Sequence, residues 1–311
     1  MKSLYHICLT AHSEVLTRNL DDVRALTNGI ALAAYRSDTE VMTDSVMSTH
    51  LHANANSDNT ERFVTSFACS QTKSFNTRHS RKGPLFDPGH FVRRLEGPYH
   101  IQMALSYGLR QGMHHGVCAT PFAYPWSTCN SLFVRERGAC EEMPRFHTRN
   151  ELNQFFPKNA DFPDVWEADR NGILLRKSFE QLEMVQNWYG TARAYMYSML
   201  RKTSQEWLDE QRKDNVDSPL ITLDLIEKGY SSEDVSKMLL NEGNPKYVKK
   251  EMDDMSLCQI IDNEMIGRFG VGSVYQLDSK QKSKLADELR FDVGIRSDSQ
   301  ISRCLVMKYD R

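Results

Sequence analysis

The 311-residue sequence predicts an α+β protein: a ferredoxin-like antiparallel sheet with helices in its first part and an all-helical C-terminal region. Two observations predict it. Four short segments before residue 96 read as strands, interleaved with helical segments in the order strand-helix-strand-strand-helix-strand-helix. Beyond about residue 145 the composition changes and only helical spacing remains.

The first strand is expected over Leu4 to Thr10, where Tyr5, Ile7 and Leu9 alternate with His6, Cys8 and Thr10. Ser13 to about Ala34 reads as a helix, with Val15, Leu20, Val23, Leu26 and Ile30 at spacings of three to five. Val41 to Met47 and Leu51 to Ala55 are extended segments, and Thr60 to about Phe75 is a second helix carrying Phe63 and Phe67. It gives way to the basic, turn-rich run Arg78-His79-Ser80-Arg81-Lys82-Gly83-Pro84. His90 to Leu95 is the fourth strand. Pro98 suits the first position of a third helix, which runs to about His114 and stops near Gly116. The expected packing places the helices on one face of the sheet.

The second half reads as helices over Leu152 to Phe156, Phe179 to Arg201, Ser204 to Gln211, Leu220 to Leu240, Met255 to Phe269, Lys280 to Phe291 and Ser297 to Met307. Asp214 to Pro219 is a polar linker candidate. The expected domains are 1–145, a helical extension over 146–215, and a helical region over 216–311. In the last of these, Val293-Gly294-Ile295-Arg296 makes a tight turn and Ser297-Asp298-Ser299-Gln300 a capping box, a helix-turn-helix pattern whose second helix could enter a DNA groove. Core packing is the expected role of the aromatic stretch with Trp188, Tyr189, Tyr195 and Tyr197.

Composition narrows the class. Hydrophobic residues at 40% and charged residues at 26% exclude a wholly disordered or collagen-like chain. Lys+Arg 39 against Asp+Glu 41 leaves a formal charge of -2, so any basic surface must be local. Seven cysteines, odd in number and without a Cys-x-x-Cys pair, suit a reducing cytoplasm rather than a disulfide scaffold or zinc ribbon. The start lacks the apolar core of a signal peptide, and no segment reaches the length of a membrane span. The expectation is a cytoplasmic protein with no membrane partner.

The sharpest chemical signal is Met47-Ser48-Thr49-His50-Leu51-His52. On a strand, His50 and His52 project to one face while Leu51 turns to the other, so two imidazoles supply half of a metal coordination shell. On the third helix, Tyr107 and Gln111 are four residues apart and share a face. Gly108 and Gly112 in the same helix each cost about 1 kcal/mol relative to alanine, which implies a close approach to its backbone.

A His-hydrophobe-His strand followed by a helix bearing one tyrosine resembles the single-tyrosine HUH transposases, and within them the REP-associated tyrosine transposases, which are related to insertion-sequence transposases. Further similar stretches occur in the same order: Tyr5-His6, Val46-Met47, Gly83-Pro84-Leu85-Phe86, and Tyr124-Pro125-Trp126-Ser127. The resemblance covers about residues 3–130. This sequence departs from it at Ser48-Thr49, where many relatives have Pro-Asn, and at Gln111-Gly112-Met113-His114-His115, where Asn-Pro-Val-Arg-Ala is usual.

The resemblance implies an HUH nuclease domain in which His50 and His52 bind a divalent cation, Mg²⁺ or Mn²⁺, and Tyr107 is the nucleophile. Gln111 would stand where some members place the third, neutral ligand; His114 is the rival for that position. The implied activity is cleavage and transfer of single-stranded DNA beside a hairpin, through a 5′-phosphotyrosine intermediate. Arg78, Arg81, Lys82, Arg93 and Arg94 are the candidate phosphate contacts. A domesticated hairpin-binding protein without transposition and a metal-dependent hydrolase with a structural Tyr107 are the alternatives. A homodimer, with the tyrosine serving its own or the partner subunit, is compatible with the sequence.

Overall fold

The computed structural model of the chain describes residues 2–11, 14–200 and 252–307. Its first part runs β1 (Ser3–Thr10), α1 (Leu20–Arg36), β2 (Glu40–Val46), β3 (His50–Ser57), α2 (Thr60–His79), β4 (Phe91–Arg94) and α3 (Gly97–Leu109). The strands form one sheet in the order β2-β3-β1-β4, and every neighbouring pair is antiparallel. That is the split β-α-β-β-α-β arrangement, in an α+β chain.

Both faces of the sheet are covered, which corrects the expectation of helices on one face. Ile7 and Leu9 of β1 and Leu51 and Ala55 of β3 pack against Leu26 and Ile30 of α1 and Phe63, Phe67 and Phe75 of α2. The alternate residues of the same strands, His6 and Cys8, His50, His52 and Asn54, face the other way and are buried as well. There α3 closes over them: Asn54 bonds the Ala104 carbonyl, and the Tyr107 ring lies 5.2 Å from that of His52. The polar stripe of these strands is thus an interior face.

The boundaries of the first two helices differ from the sequence reading. α1 begins at Leu20 because Asn19 caps it, accepting from the Asp22 amide. The preceding residues connect two cores: Leu16 joins the sheet core, whereas Val15 is buried among C-terminal residues. α2 runs to His79, since Arg78 and His79 both bond Asp22 of α1, at 3.0 and 2.8 Å. Tertiary partners hold a polar last turn that has no apolar period of its own.

After α3 come α4 (Gln111–His114), α5 (Arg149–Leu152), α6 (Leu182–Tyr189) and α7 (Ala192–Leu200). The break between α6 and α7 falls at Gly190, whose φ of 73° ends the first of them. Leu105 and Leu109 of α3 share a core with Val185, Tyr189, Tyr195 and Met199, so these aromatics pack internally as expected; Tyr197 is exposed. Leu152, Phe156, Phe162 and Trp166 cover the back of α1 at Ala31 and Leu32.

The C-terminal part contains α8 (Asp254–Ile260), α9 (Ser279–Phe291) and α10 (Asp298–Cys304) around Leu257, Ile261, Leu285, Leu289, Ile301 and Leu305. It is fastened to the first part by Arg18, whose buried guanidinium grips Asp262 at 2.9 and 2.7 Å and the Cys304 carbonyl at 2.8 Å. Ser297 caps α10, but Gln300 turns inward to Met252 and Asp254, so the expected capping box is a single cap. α10 buries Gln300, Ile301, Ser302 and Cys304, and its half-buried Arg303 is paired with Asp254, leaving Asp298 and Ser299 as the outward residues. The expected helices at Ser204 to Gln211 and Leu220 to Leu240, the linker at Asp214 to Pro219 and the 215/216 boundary lie outside the described residues. All seven cysteines are free. Among the described residues no helix is long and apolar enough to cross a membrane.

Candidate active site

The site begins at the turn between β2 and β3, closed by the Met47 amide donating to the His50 carbonyl at 2.8 Å. Leu51 enters the sheet core, so His50 and His52 share the α3 face, their ring centroids 5.0 Å apart. Ser48, at a departure from the family pattern, donates its hydroxyl to Asp254 of α8 at 2.7 Å. Asp254 is itself held by Arg303 and Gln300. The turn bearing the histidines is therefore braced by the C-terminal part.

Beneath the pair lies a continuous polar chain. His6 of β1 stands opposite Asn54 and one step from His52, with Nδ1 at 2.9 Å from Asn54 Oδ1 and Nε2 at 3.1 Å from His52 Nδ1. Cys8 Sγ is 3.9 Å from His52 Nε2. Asn54 Nδ2 donates to Thr43 Oγ1 at 2.8 Å and to the Ala104 carbonyl at 3.4 Å.

α3 brings Tyr107 over this chain, its ring 5.2 Å from His52 and 5.8 Å from His6. The predicted continuous helix is interrupted at Arg110, and Gln111 opens α4. Gln111 still lies below Tyr107, because its Nε2 donates to the Tyr107 carbonyl at 3.1 Å. That bond directs Oε1 to His50 Nε2, 3.4 Å away. Both glycines have their close approach. A Cβ at Gly112 would sit 2.4 Å from Cγ of Tyr124, and one at Gly108 would be 3.2 Å from Asn54 Nδ2. Tyr124 and Trp126 in turn bond the two sides of Val46, at 2.6 and 2.9 Å, so the Tyr-Pro-Trp-Ser stretch couples α4 to the end of β2. Burial pushes the Tyr124 hydroxyl well above the usual phenol range, consistent with a donor role only.

The structure brings His50, His52, Tyr107 and Gln111 together. His114 stands apart from the pair: its ring is 6.4 Å from Tyr107 and 5.0 Å from His115, and His115 is the neighbour of His50, at 4.8 Å. Among the described residues no three His, Cys, Asp or Glu side chains could together hold a metal ion. A cation here would be held by His50, His52 and the Gln111 amide oxygen, all neutral, and this donor set fits a divalent ion. His114 as the third ligand is set aside.

The basic candidates divide. Arg81 grips Glu14 through two nitrogens and also bonds Asn76 and the Gly83 and Pro84 carbonyls; Glu14 accepts in addition from Tyr275. Arg78 is spent on Asp22 and Ser74. Both are engaged in bonds within the protein; the acidic partners lie 56 and 67 positions away in the chain and only folding reveals them. Lys82, Arg93 and Arg94 are exposed. Arg93 pairs in register with His6, on the α3 face; together with burial, its charge lowers the pKa of His100. Arg94 falls on the opposite face, in register with Tyr5.

Sequence reasoning assigned no role to His6, Asn54, Thr43 or His115. The alternation in β1 put His6 on one face, but only the pairing register reveals that this face is the one of His52.

No family model matches the chain, and neither does any curated protein. Among solved structures it is similar to a REP-associated tyrosine transposase bound to a REP hairpin, with 13% sequence identity and a TM-score of 0.37, over 53% of this chain and 92% of that one.

Proposed function

We propose that the chain is a metal-dependent single-stranded DNA endonuclease and strand transferase in which Tyr107 attacks a phosphodiester beside a hairpin. The observation that carries this reading is the convergence of a phenol, two imidazoles and an amide from separate segments at the α3 face of the sheet: Tyr107 is 5.2 Å from His52, His52 is 5.0 Å from His50, and Gln111 Oε1 is 3.4 Å from His50 Nε2.

Each part has its chemical reason. His50, His52 and Gln111 would hold a divalent cation without neutralising it, and the ion when bound would supply Lewis-acid stabilisation of phosphate charge. Tyr107 provides the attacking oxygen, which is weakly nucleophilic until its proton is removed. Attack forms the Tyr–phosphate bond and breaks the bond to the 3′ oxygen, which leaves as a 3′-OH after taking a proton. The link retains the phosphoester energy, so attack by a 3′-OH reseals the strand without ATP. Tyr107 lies beside the histidines of its own chain, so the reading is a tyrosine acting in cis. Arg93, on the same face, and Lys82 are the proposed phosphate contacts, with Arg94 at the sheet edge.

Labelled single strands flanked by a hairpin, incubated with Mn²⁺, should give a denaturation-resistant protein–DNA adduct that is absent in Tyr107→Phe. Absence of any adduct in the parent protein overturns the reading. Binding without cleavage would favour the domesticated DNA-binding alternative, and cleavage that survives in Tyr107→Phe would make water the nucleophile.

A further inference from the structure

We propose that His6, anchored by Asn54, is a positioning residue that holds the proton of His52 on Nδ1 and so presents the Nε2 lone pair of His52 to a cation. The inference deepens the proposed function and rests on its reading of His52 as a metal ligand.

The directions of the His6–Asn54 and His6–His52 hydrogen bonds follow from the first member of the chain; Cys8 Sγ stands 3.9 Å from the opposite nitrogen of His52, Nε2. The Ala104 carbonyl can only accept, so the Asn54 atom 3.4 Å from it is the amide nitrogen. The same nitrogen donates to Thr43 Oγ1 at 2.8 Å. The atom of Asn54 that faces His6 Nδ1 at 2.9 Å is therefore the amide oxygen, an acceptor. His6 Nδ1 must carry a proton to meet it. A neutral His6 then has its lone pair on Nε2, and His52 Nδ1, 3.1 Å away, must be the donor. That places the one proton of a neutral His52 on Nδ1.

The consequence is chemical. A neutral histidine in water favours the opposite tautomer, with the proton on Nε2, and in that form Nε2 cannot bind a metal. Ligating histidines ordinarily have their second nitrogen oriented by a carboxylate, a carbonyl or a water. Here a second imidazole does it, relayed from an amide that is itself fixed at two points. His6, His52 and Asn54 are all fully buried, so water does not compete for these bonds. Gly108 belongs to the device, because a side chain there would press on Asn54 Nδ2.

The test uses the full-length, metal-free protein labelled with ¹⁵N-histidine. Long-range ¹H–¹⁵N correlations distinguish the two tautomers directly, and single variants assign the peaks. His6 and His52 should both carry their proton on Nδ1. In His6→Leu, His52 should move to the Nε2–H form, and affinity for Mn²⁺ alone, followed by electron paramagnetic resonance, should fall about 10- to 100-fold. His6→Gln should restore both readouts, since its amide nitrogen can donate to Asn54 and its amide oxygen can accept from His52. A proton on Nε2 of His52 in the parent protein overturns the proposal, a measurement that needs no variant to fold. So does an unchanged tautomer and Mn²⁺ affinity in His6→Leu. If the tautomers are as described but no DNA adduct forms on Tyr107, the proposed function fails and the His6 relay stands.

Discussion

At the scale of single residues, what a charged side chain does is set by the partner that folding gives it. Arg81 is one-tenth exposed and surrounded by Glu14, Asn76 and two carbonyls, whereas Arg93 of β4 projects from the face of the sheet that carries His6 of β1. Replacing them should therefore have opposite signatures. Arg81→Ala leaves Glu14, itself buried, short of a partner, and should lower stability by about 2–4 kcal/mol. Arg93→Ala should leave the melting temperature unchanged. In salt titrations of single-stranded DNA binding, Arg93→Ala should weaken affinity across sequences and reduce the salt slope by about 1. A salt slope that does not move in Arg93→Ala removes this residue from the DNA surface.

At the scale of elements, the histidine turn is held from three directions. The residue after β1 supports it through the Ala11 amide on the Thr49 carbonyl, the 124–127 segment through Val46, and α8 through the Ser48–Asp254 bond. The last of these uses a serine at a point where the resemblance leads one to expect proline, which has no hydroxyl. Ser48→Ala should cost about 1 kcal/mol in thermal unfolding, because Asp254 keeps Arg303 and Gln300 and is not left unsatisfied. Asp254→Ala strands a largely buried guanidinium and should cost more, about 3 kcal/mol. If the two variants melt alike, the bond between turn and helix does not bear on stability as described. The break of α3 at Arg110 belongs to the same scale. It separates the helix that carries Tyr107 from the short turn that carries Gln111, while the Gln111–Tyr107 bond keeps the two side by side.

At the scale of the whole molecule, the segment that crosses the β2 edge contains an unbalanced buried charge cluster. Arg176 reaches Asp44 at 2.8 Å and Glu180 at 3.6 Å, so one guanidinium serves two carboxylates in the interior. Burial pushes Asp44 up to about 6, against the pull of Arg176. Burial and then the neighbouring Asp44 push Glu180 well above the usual carboxylate range. Both folded values exceed the unfolded ones, so the unfolded chain gives up these protons first as pH rises. The stability associated with the protonated pair is complete below about pH 4 and is lost as pH passes 6 and above. Glu180→Gln keeps an oxygen for the Thr128 hydroxyl and removes one charge. It should raise stability at pH 8 by about 1–3 kcal/mol and leave it little changed at pH 4, which flattens the pH profile measured by denaturant unfolding. Equal effects at the two pH values would show that Glu180 does not hold a proton in the fold.

What was legible in the sequence is local. Period-two alternation located β1 and β3 and put His50 and His52 on one face; Pro98 marked the start of the tyrosine helix, although its end falls at Leu109 rather than near Gly116; and Gly108 with Gly112 announced a close approach. These depend on neighbours a few residues apart, so spacing alone reports them. What only the tertiary structure decided is which distant groups meet. The register of β1 against β3 set His6 beneath His52, the packing of α3 turned a polar strand face into an interior, and Glu14 and Asp22 claimed Arg81 and Arg78. Such pairings join residues 46 to 67 positions apart. A one-residue slip in register would reverse the face of every side chain, so it takes the folded sheet to put an acceptor for the His52 proton in place.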